Sequence, residues 1–478
     1  MALGLSWSEL KIDSARIHAL NEVPFPASGR DFVLYWCMIN QRAEHNPALE
    51  TAIALGNHLG LPVLCYQALR PDYPHASDRF HRFVLEGLAE FGERLEARGI
   101  PYWLELPRTP QQHQKRFEAF GRRAAVVVTD FFPAYIIPGH LRGAAKVLDA
   151  PLIAVDASCV VPMRCIVAKQ VGAYALRPKL RKLWPAYLRV LPQGRSVRHA
   201  AVARRIDLEV PRITDVAKEI SALEHYAIDH TVRPIDARPG GRKAALANLR
   251  IFVDKQLPRF DTARNEPGEQ GQSGLSPALH FGTLFAGEVA EACLETHGAD
   301  NPNVQSFLEE LLVRRELSFN YCLYTPVPDQ LKFSSLPPWA QKTLNDHAED
   351  PRDARYSLAQ MDEGHTTDPL WNAAQRELRD YGRIHGYLRM LWGKKILEWS
   401  PTPLEALARM AHLNDRYALD GRDAVSVANF MWVLGLHDRP FQERKVIGKV
   451  RPMSSKRTAE KYDLEPYLER YGDPASHG

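Results

Sequence analysis

Continuous apolar runs recur through the first third of the chain: DFVLYW (31–36), LPVLCYQAL (61–69), PYWLEL (101–106), AAVVVTD (124–130) and PLIAVDA (151–157). Runs that do not alternate with polar residues predict strands buried on both faces. Helical patterns lie between them. In NPALETAIALGNHLG (46–60), Asn46 stands as N-cap, Pro47 as the first helical residue and Gly60 as the stop. FHRFVLEGLAEFGERLEARG (80–99) is amphipathic and also ends in glycine. Strands alternating with helices predict an α/β domain with a parallel sheet and right-handed crossovers. Such sheets bind ligands at the carboxyl ends of their strands. There is no GxGxxG or Walker loop, so a motif names no nucleotide, and a scaffold without a ligand fits equally well.

After residue 190 the β-rich runs fade, and residues 192–242 hold many Arg and Pro with little periodicity, which predicts a long connection. From Gly241 onward helical patterns dominate, as in 303–323, 369–399 and 403–413. Four clusters stand out there. GQSGLSPALHFG (271–282) feeds a small-residue loop into Ser276–Pro277, which reads as an anion site at a helix start or as an ordinary capped helix. LNDRYALDGRD (413–423) crowds Asn414, Asp415, Asp420 and Asp423 into a turn-rich stretch whose spacing is not an EF-hand. Trp371, Trp392, Trp399 and Trp432 all fall in this half. In LRMLWGKKILEW (388–399), Trp392 and Trp399 share one helix side, about 10 Å apart along the axis. Core packing and an electron relay both fit that spacing. Last, Arg439 to Arg457 holds seven Lys/Arg against one acid, Glu443, which is either a solvated face or a phosphate-binding rim.

Composition narrows these readings only at the margins. The chain's 478 residues call for at least two domains, and 45% apolar with 25% charged residues is ordinary for a globular protein. No apolar run is long enough for a transmembrane helix, and the N-terminus lacks the pattern of a secretory signal. Six scattered cysteines without a CxxC pair argue against structural zinc or an iron–sulfur cluster, so no metal is expected, and they suit a reducing cytoplasm. The net charge of +4 does not by itself announce nucleic acid.

Seven blocks occur in an order and spacing that resembles class II cyclobutane pyrimidine dimer photolyases, of the photolyase/cryptochrome family. They are VLYWCMINQRAEHNPALE (33–50), LSPALHFG (275–282), FLEELLVRREL (307–317), DPLWNAAQREL (368–378), HGYLRMLWGKKILEW (385–399), LNDRYALDGRD (413–423) and GLHDRPFQERKVIGKVRPM (435–453). The resemblance runs from about residue 15 to 470. It implies a Rossmann-like domain with a five-stranded parallel sheet over 15–190, a linker over 191–240, and an all-helical FAD-binding and lesion-binding domain over 241–472.

It also implies roles for particular residues. Ser273, Gly274, Leu275 and Ser276 are expected to cradle the FAD diphosphate, Arg389 and Asp420 to pair beside the isoalloxazine, Asp423 to contact the flavin and Asn414 to face its N5. Glu310 is expected to hydrogen-bond the dimer, Met390, Trp432 and Phe441 to wall its pocket, and Arg444, Lys445, Lys449 and Arg451 to line the DNA rim. Trp392, Trp371 and Trp399 are expected to form the photoreduction chain, with Trp392 nearest the flavin. The implied activity is light-driven repair of DNA containing pyrimidine dimers, by a cytoplasmic monomer that is nucleoid-associated if prokaryotic and has no membrane partner. A deazaflavin antenna is allowed, bordered by 129–141 and 174–180. Some positions depart from the family pattern: Phe441 stands where a second wall tryptophan is usual, SVANFM precedes Trp432, and Gln272 and Gly274 replace the usual Thr and Arg. Phe441 and the altered pocket favour repair of a changed substrate or the alternative, a cryptochrome-like blue-light photoreceptor that keeps FAD and the tryptophan chain without repair, whereas Glu310, Trp432 and the basic rim favour repair.

Overall fold

The apolar runs become the strands β2 (Phe32–Trp36), β3 (Val63–Ala68), β4 (Tyr102–Glu105), β5 (Ala124–Asp130) and β6 (Leu152–Val155), buried almost throughout. These five are parallel, as the continuous hydrophobicity requires. A sixth strand escaped the sequence pattern: β1 (Ile17–Ala19) pairs antiparallel with β6, giving the order β1-β6-β5-β2-β3-β4. The Pro47–Leu59 helix starts where expected, with the Asn46 side chain accepting from the Ala48 and Leu49 amides, and stops at Gly60 with φ 69°. Only glycine takes that left-handed conformation without steric cost.

The computed structural model describes residues 6–473, apart from 27–28, 189–194, 204–205, 207 and 209–212. The expected domain boundary at 190, and part of the expected linker, lie outside the described residues. Two compact units emerge. Unit 1 comprises 1–167, 183–247 and 277–291; unit 2 comprises 168–182, 248–276 and 292–478. Each is therefore discontinuous in sequence, and the stretches 129–141 and 174–180 belong to different units.

In unit 1 the strand order reverses between β5 and β2, where α/β sheets usually seat a ligand. Here the chain's own carboxylate takes the place. One oxygen of Asp130 accepts from the backbone amides of Met38, Ile39 and Asn40 at 2.9, 2.9 and 3.2 Å, and the other from Asn40 Nδ2 and Tyr35 OH at 2.9 and 3.1 Å. Amides that would otherwise offer an anion site are thus satisfied internally.

Unit 2 is helical. The pattern expected as one stretch over 369–399 is two helices, Pro369–Tyr381 and Gly386–Trp399, broken at Gly382 with φ 64°. The pattern over 303–323 contains a π-helical segment, Glu309–Arg314, between the α-helices Pro302–Leu308 and Arg315–Leu323. Such insertions turn side chains off the regular helical faces and recur at functional sites. The Gly386–Trp399 helix is apolar on most sides and so runs through the interior. Gly393 permits its close approach to the neighbouring helices: a Cβ there would stand 2.6 Å from Val433 Cγ2 and 3.1 Å from Met410 Sδ. Those neighbours are Pro403–Tyr417 and Ala424–Val433. Among the described residues no helix is long and apolar enough to cross a membrane.

Candidate functional site

Three tryptophans from two helices make one contiguous stack. Trp371 lies on Pro369–Tyr381, where Asp368 caps the helix by accepting from the Trp371 amide at 3.1 Å. Its ring is parallel to Trp392, with centroids 6.4 Å apart and planes 2° off. Trp399 meets the Trp371 ring edge-on, at 5.3 Å and 70°. The two residues seven apart on one helix are therefore joined through a third from another helix. Trp371 is fully buried and Trp392 nearly so (0% and 1% exposed), while Trp399 approaches the surface at 7% and has Tyr356 against it at 4.9 Å.

Trp392 also faces a pocket lined by Arg389, Met390, Gly393, Met410, Asn414, Ser426, Asn429, Phe430 and Val433. The Arg389 guanidinium reaches both Asp420 oxygens, at 3.0 and 3.3 Å, in a mostly buried pair. Asn414 is buried, and its amide donates to Asp415 Oδ1 at 3.0 Å and Ser426 Oγ at 3.4 Å. Asp423 has a structural task beside any ligand contact: it caps Ala424–Val433 by accepting from the Val425 amide at 2.8 Å.

The loop at 271–276 is shaped by its glycines. Gly274 adopts φ 66°, and Gly271 packs so closely that a Cβ would stand 2.5 Å from the Ala263 carbonyl oxygen. Ser273 Oγ accepts from the Leu275 amide at 3.4 Å, and Ser276 opens a short helix, Ser276–His280. A Cβ on Gly386 would meet Gln272 Nε2 at 2.8 Å, so this loop abuts the start of the Gly386–Trp399 helix.

Around these elements several buried polar atoms have no hydrogen-bond partner among the described residues: Arg389 Nε, Trp432 Nε1 and both ring nitrogens of His385. Buried polar groups are almost always satisfied, so each of these orphans is a place where a bound polar ligand would supply the missing partner. Burial, and secondarily Arg383, holds the His385 imidazole down at about 4, so it is neutral at ordinary pH. In side-chain chemistry, though not in open volume, the residues present fit FAD: the cavity among them is about 10 Å³. Trp392, Met410 and Phe430 offer apolar contact for a flat ring, and Asn414, Ser426, Asn429 and Arg389 offer amide, hydroxyl and guanidinium partners for its polar edge.

Glu310 sits on the π-helical segment, 43% exposed, and pairs with Arg264 at 2.6 Å. Its neighbour Glu309 points differently, to Arg177 at 2.7 and 2.8 Å. The Ala424–Val433 helix packs against both Arg315–Leu323 and Gly386–Trp399, so Trp432 stands on the element that joins the Glu310 helix to the tryptophan helix. The Arg314 guanidinium lies over the Trp432 ring at 5.4 Å.

The basic rim is less uniform than its sequence suggested. Lys445 and Lys449 are half exposed, with loose partners in Asp353 at 3.2 Å and Glu443 at 3.9 Å. The Arg444 backbone bridges to Gly448, fixing the turn that displays Lys445. Arg451 is instead held by both oxygens of the buried Asp438, at 3.0 Å each, and covers the Phe441 ring at 4.9 Å. Arg264, Arg314, His385 and Gln375 were not picked out from the sequence. Only Gln375 had a legible signal there, lying one helical turn after Trp371 on the same face.

Solved structures share the fold. A Synechocystis cryptochrome superposes with a TM-score of 0.70 at 15% identity, covering 92% of this chain and 88% of that one. A class III photolyase from Agrobacterium tumefaciens superposes at 0.63 and 19%, covering 93% and 87%. At those identities the likeness is one of fold. Sequence relatives then specify the family. A family model described as DNA photolyase matches residues 33–193. The deoxyribodipyrimidine photo-lyase of Methanothermobacter thermautotrophicus is 35% identical over 470 residues, 96% of this chain and 98% of that protein. Those of Arabidopsis thaliana and Potorous tridactylus are 34% and 33% identical, over 91% and 98% of this chain and 88% and 86% of theirs. The chain belongs to the DNA photolyase family.

Proposed function

We propose that this protein is a deoxyribodipyrimidine photo-lyase of the class II type, which splits cyclobutane pyrimidine dimers in DNA using blue light. The observation that carries the reading is Trp392, which both lines the candidate flavin pocket and begins the stack through Trp371 to Trp399. Such a stack is what re-reduction of a buried redox group from the surface requires.

The chemistry supplied there by bound, light-excited reduced FAD is one-electron donation to the dimer. Arg389 and Asp420 would hold the cofactor's polar edge, with Asn414 offering it an amide. The loop Ser273, Gly274, Leu275 and Ser276 receives the diphosphate through its backbone amides. The bonds of a dimer are out of reach inside the duplex stack, and photolyases are among the known base-flipping enzymes, so the flip comes to this chain with the family. Met390, Trp432 and Phe441 receive the flipped dimer against apolar and aromatic faces. Glu310, held by Arg264, accepts from a base imide N–H and so places the dimer. Arg444, Lys445 and Lys449 hold the flanking phosphates. Trp399, Trp371 and Trp392 pass electrons inward to restore the reduced cofactor.

The photoreceptor reading draws on one observation, Phe441. It supplies a smaller stacking face than tryptophan and no N–H donor, and Arg451 already covers it. Purified protein reduced and illuminated with a dimer-containing oligonucleotide separates the two: dimer splitting supports repair, and photoreducible FAD without splitting supports the photoreceptor.

A further inference from the structure

Each of the first two indole N–H groups in the stack has one hydrogen-bond acceptor, and neither acceptor is a base. Trp392 Nε1 donates to Gln375 Oε1 at 2.9 Å, and Trp371 Nε1 donates to the backbone carbonyl of Trp392 at 3.0 Å. Gln375 is fully buried, and its own Nε2 donates to the Asp362 carbonyl at 3.2 Å. That second bond fixes which way the amide points. Rotated the other way, its NH₂ would face an indole N–H and its oxygen would face a carbonyl.

Loss of an electron makes an indole N–H strongly acidic. An amide oxygen accepts a hydrogen bond from it but does not take its proton. A carboxylate or imidazole in the same place would. We propose that Gln375 is a positioning residue that keeps the proton on oxidised Trp392, so that charge leaves along the stack by electron transfer alone. The proposal rests on the reading of Trp392, Trp371 and Trp399 as a relay. With light-excited oxidised FAD as the oxidant, one electron leaves Trp392. An electron from Trp371 then fills the Trp392 radical cation, and one from Trp399 fills Trp371. The protons on the Trp392 and Trp371 nitrogens stay where they are. If the proton left Trp392 early, the neutral radical would be a far weaker oxidant of Trp371, and the hole would be stranded beside the flavin, where charge recombination is fastest.

The test compares wild-type holoprotein with Gln375→Glu and Gln375→Met. Transient absorption distinguishes the cationic from the neutral tryptophan radical. Wild type should show only the cation while charge moves from Trp392 to Trp399, at rates equal in H₂O and D₂O. Gln375→Glu should show early neutral radical, a solvent isotope effect and a severalfold lower yield of long-lived charge separation, all reverting at a pH that protonates the new carboxyl. Gln375→Met, which removes the acceptor without supplying a base, should keep the cation.

In the dark, ¹⁵N-tryptophan labelling gives nine indole cross-peaks, one per tryptophan. The one absent from Trp392→Phe should shift in Gln375→Met. Wild-type kinetics with a solvent isotope effect would overturn the proposal even if Gln375→Glu does not fold. So would a Gln375→Glu protein that behaves as wild type, or an unshifted Trp392 cross-peak. Absence of any tryptophan radical in wild type, with the dark cross-peak shift intact, would overturn the relay reading itself and the proposal with it.

Discussion

Removing the positive charge at Lys445 and Lys449 should weaken the salt dependence of DNA binding by a calculable amount. Both side chains are about half exposed, and their carboxylate partners Asp353 and Glu443 are more exposed still or equally so. Exposed pairs of this kind contribute about 0–1 kcal/mol, so a DNA phosphate displaces the acid at little cost. Each cation that neutralises a phosphate adds about 0.9 to the magnitude of the slope of log K against log salt. Lys445→Ala/Lys449→Ala should therefore flatten that slope by about 1.8, so that wild type loses about tenfold more affinity than the variant between roughly 50 and 200 mM salt.

Arg451 should behave differently. It holds a carboxylate, Asp438, that is only 6% exposed, and it packs on Phe441. Arg451→Ala leaves that acid buried without its partner, at a cost of about 1–3 kcal/mol of stability, beyond any effect on DNA. Fluorescence anisotropy with a dimer-containing duplex over a salt series measures the slopes, and urea titration measures stability. Parallel binding lines for wild type and the lysine variant would place the DNA elsewhere on the molecule.

Other expectations are as direct. Trp371→Phe, in the middle of the stack, should greatly slow photoreduction of oxidised FAD while chemically reduced protein still splits dimers; equal loss of both would remove Trp371 from the relay. Glu310→Gln should lower the quantum yield of splitting more than DNA affinity, and a pure affinity loss would limit it to binding. Lys394 is buried, with its ammonium donating to the Val433 carbonyl, and burial pushes it down from 10.5 to about 7. The unfolded chain thus binds the extra proton between pH 7 and 10.5, so this lysine's penalty on folding is full below pH 7 and is relieved as pH rises. From pH 7 to 9, wild type should gain about 2–3 kcal/mol relative to Lys394→Met in urea unfolding. A pH-independent difference would show that the lysine does not titrate in that range.

The strands were legible because burial on both faces leaves continuous apolar runs, and the Asn46 cap and Gly60 stop because capping chemistry is local. β1 was not, since three residues pairing with an edge carry no periodic signal. The π-helical segment at Glu309–Arg314 was hidden for a related reason: an inserted residue barely disturbs the apolar spacing. At the site, the seven-residue spacing put Trp392 and Trp399 on one helix side but could not show Trp371 between them, because that contact is tertiary. The family resemblance supplied that third member. Arg451 looked like one more rim cation because sequence shows a charge and not the buried Asp438 that holds it.

The measurement that bears most directly on the proposed function is a repair assay. Purified protein, with its flavin reduced, is illuminated with blue light in the presence of a thymine-dimer oligonucleotide, and recovery of thymine absorbance is followed. Light-dependent recovery, lost in Glu310→Gln, is the predicted result and would establish that Phe441 sustains dimer binding. Bound and photoreducible FAD with no recovery on any dimer-containing strand would contradict repair and leave the photoreceptor reading standing.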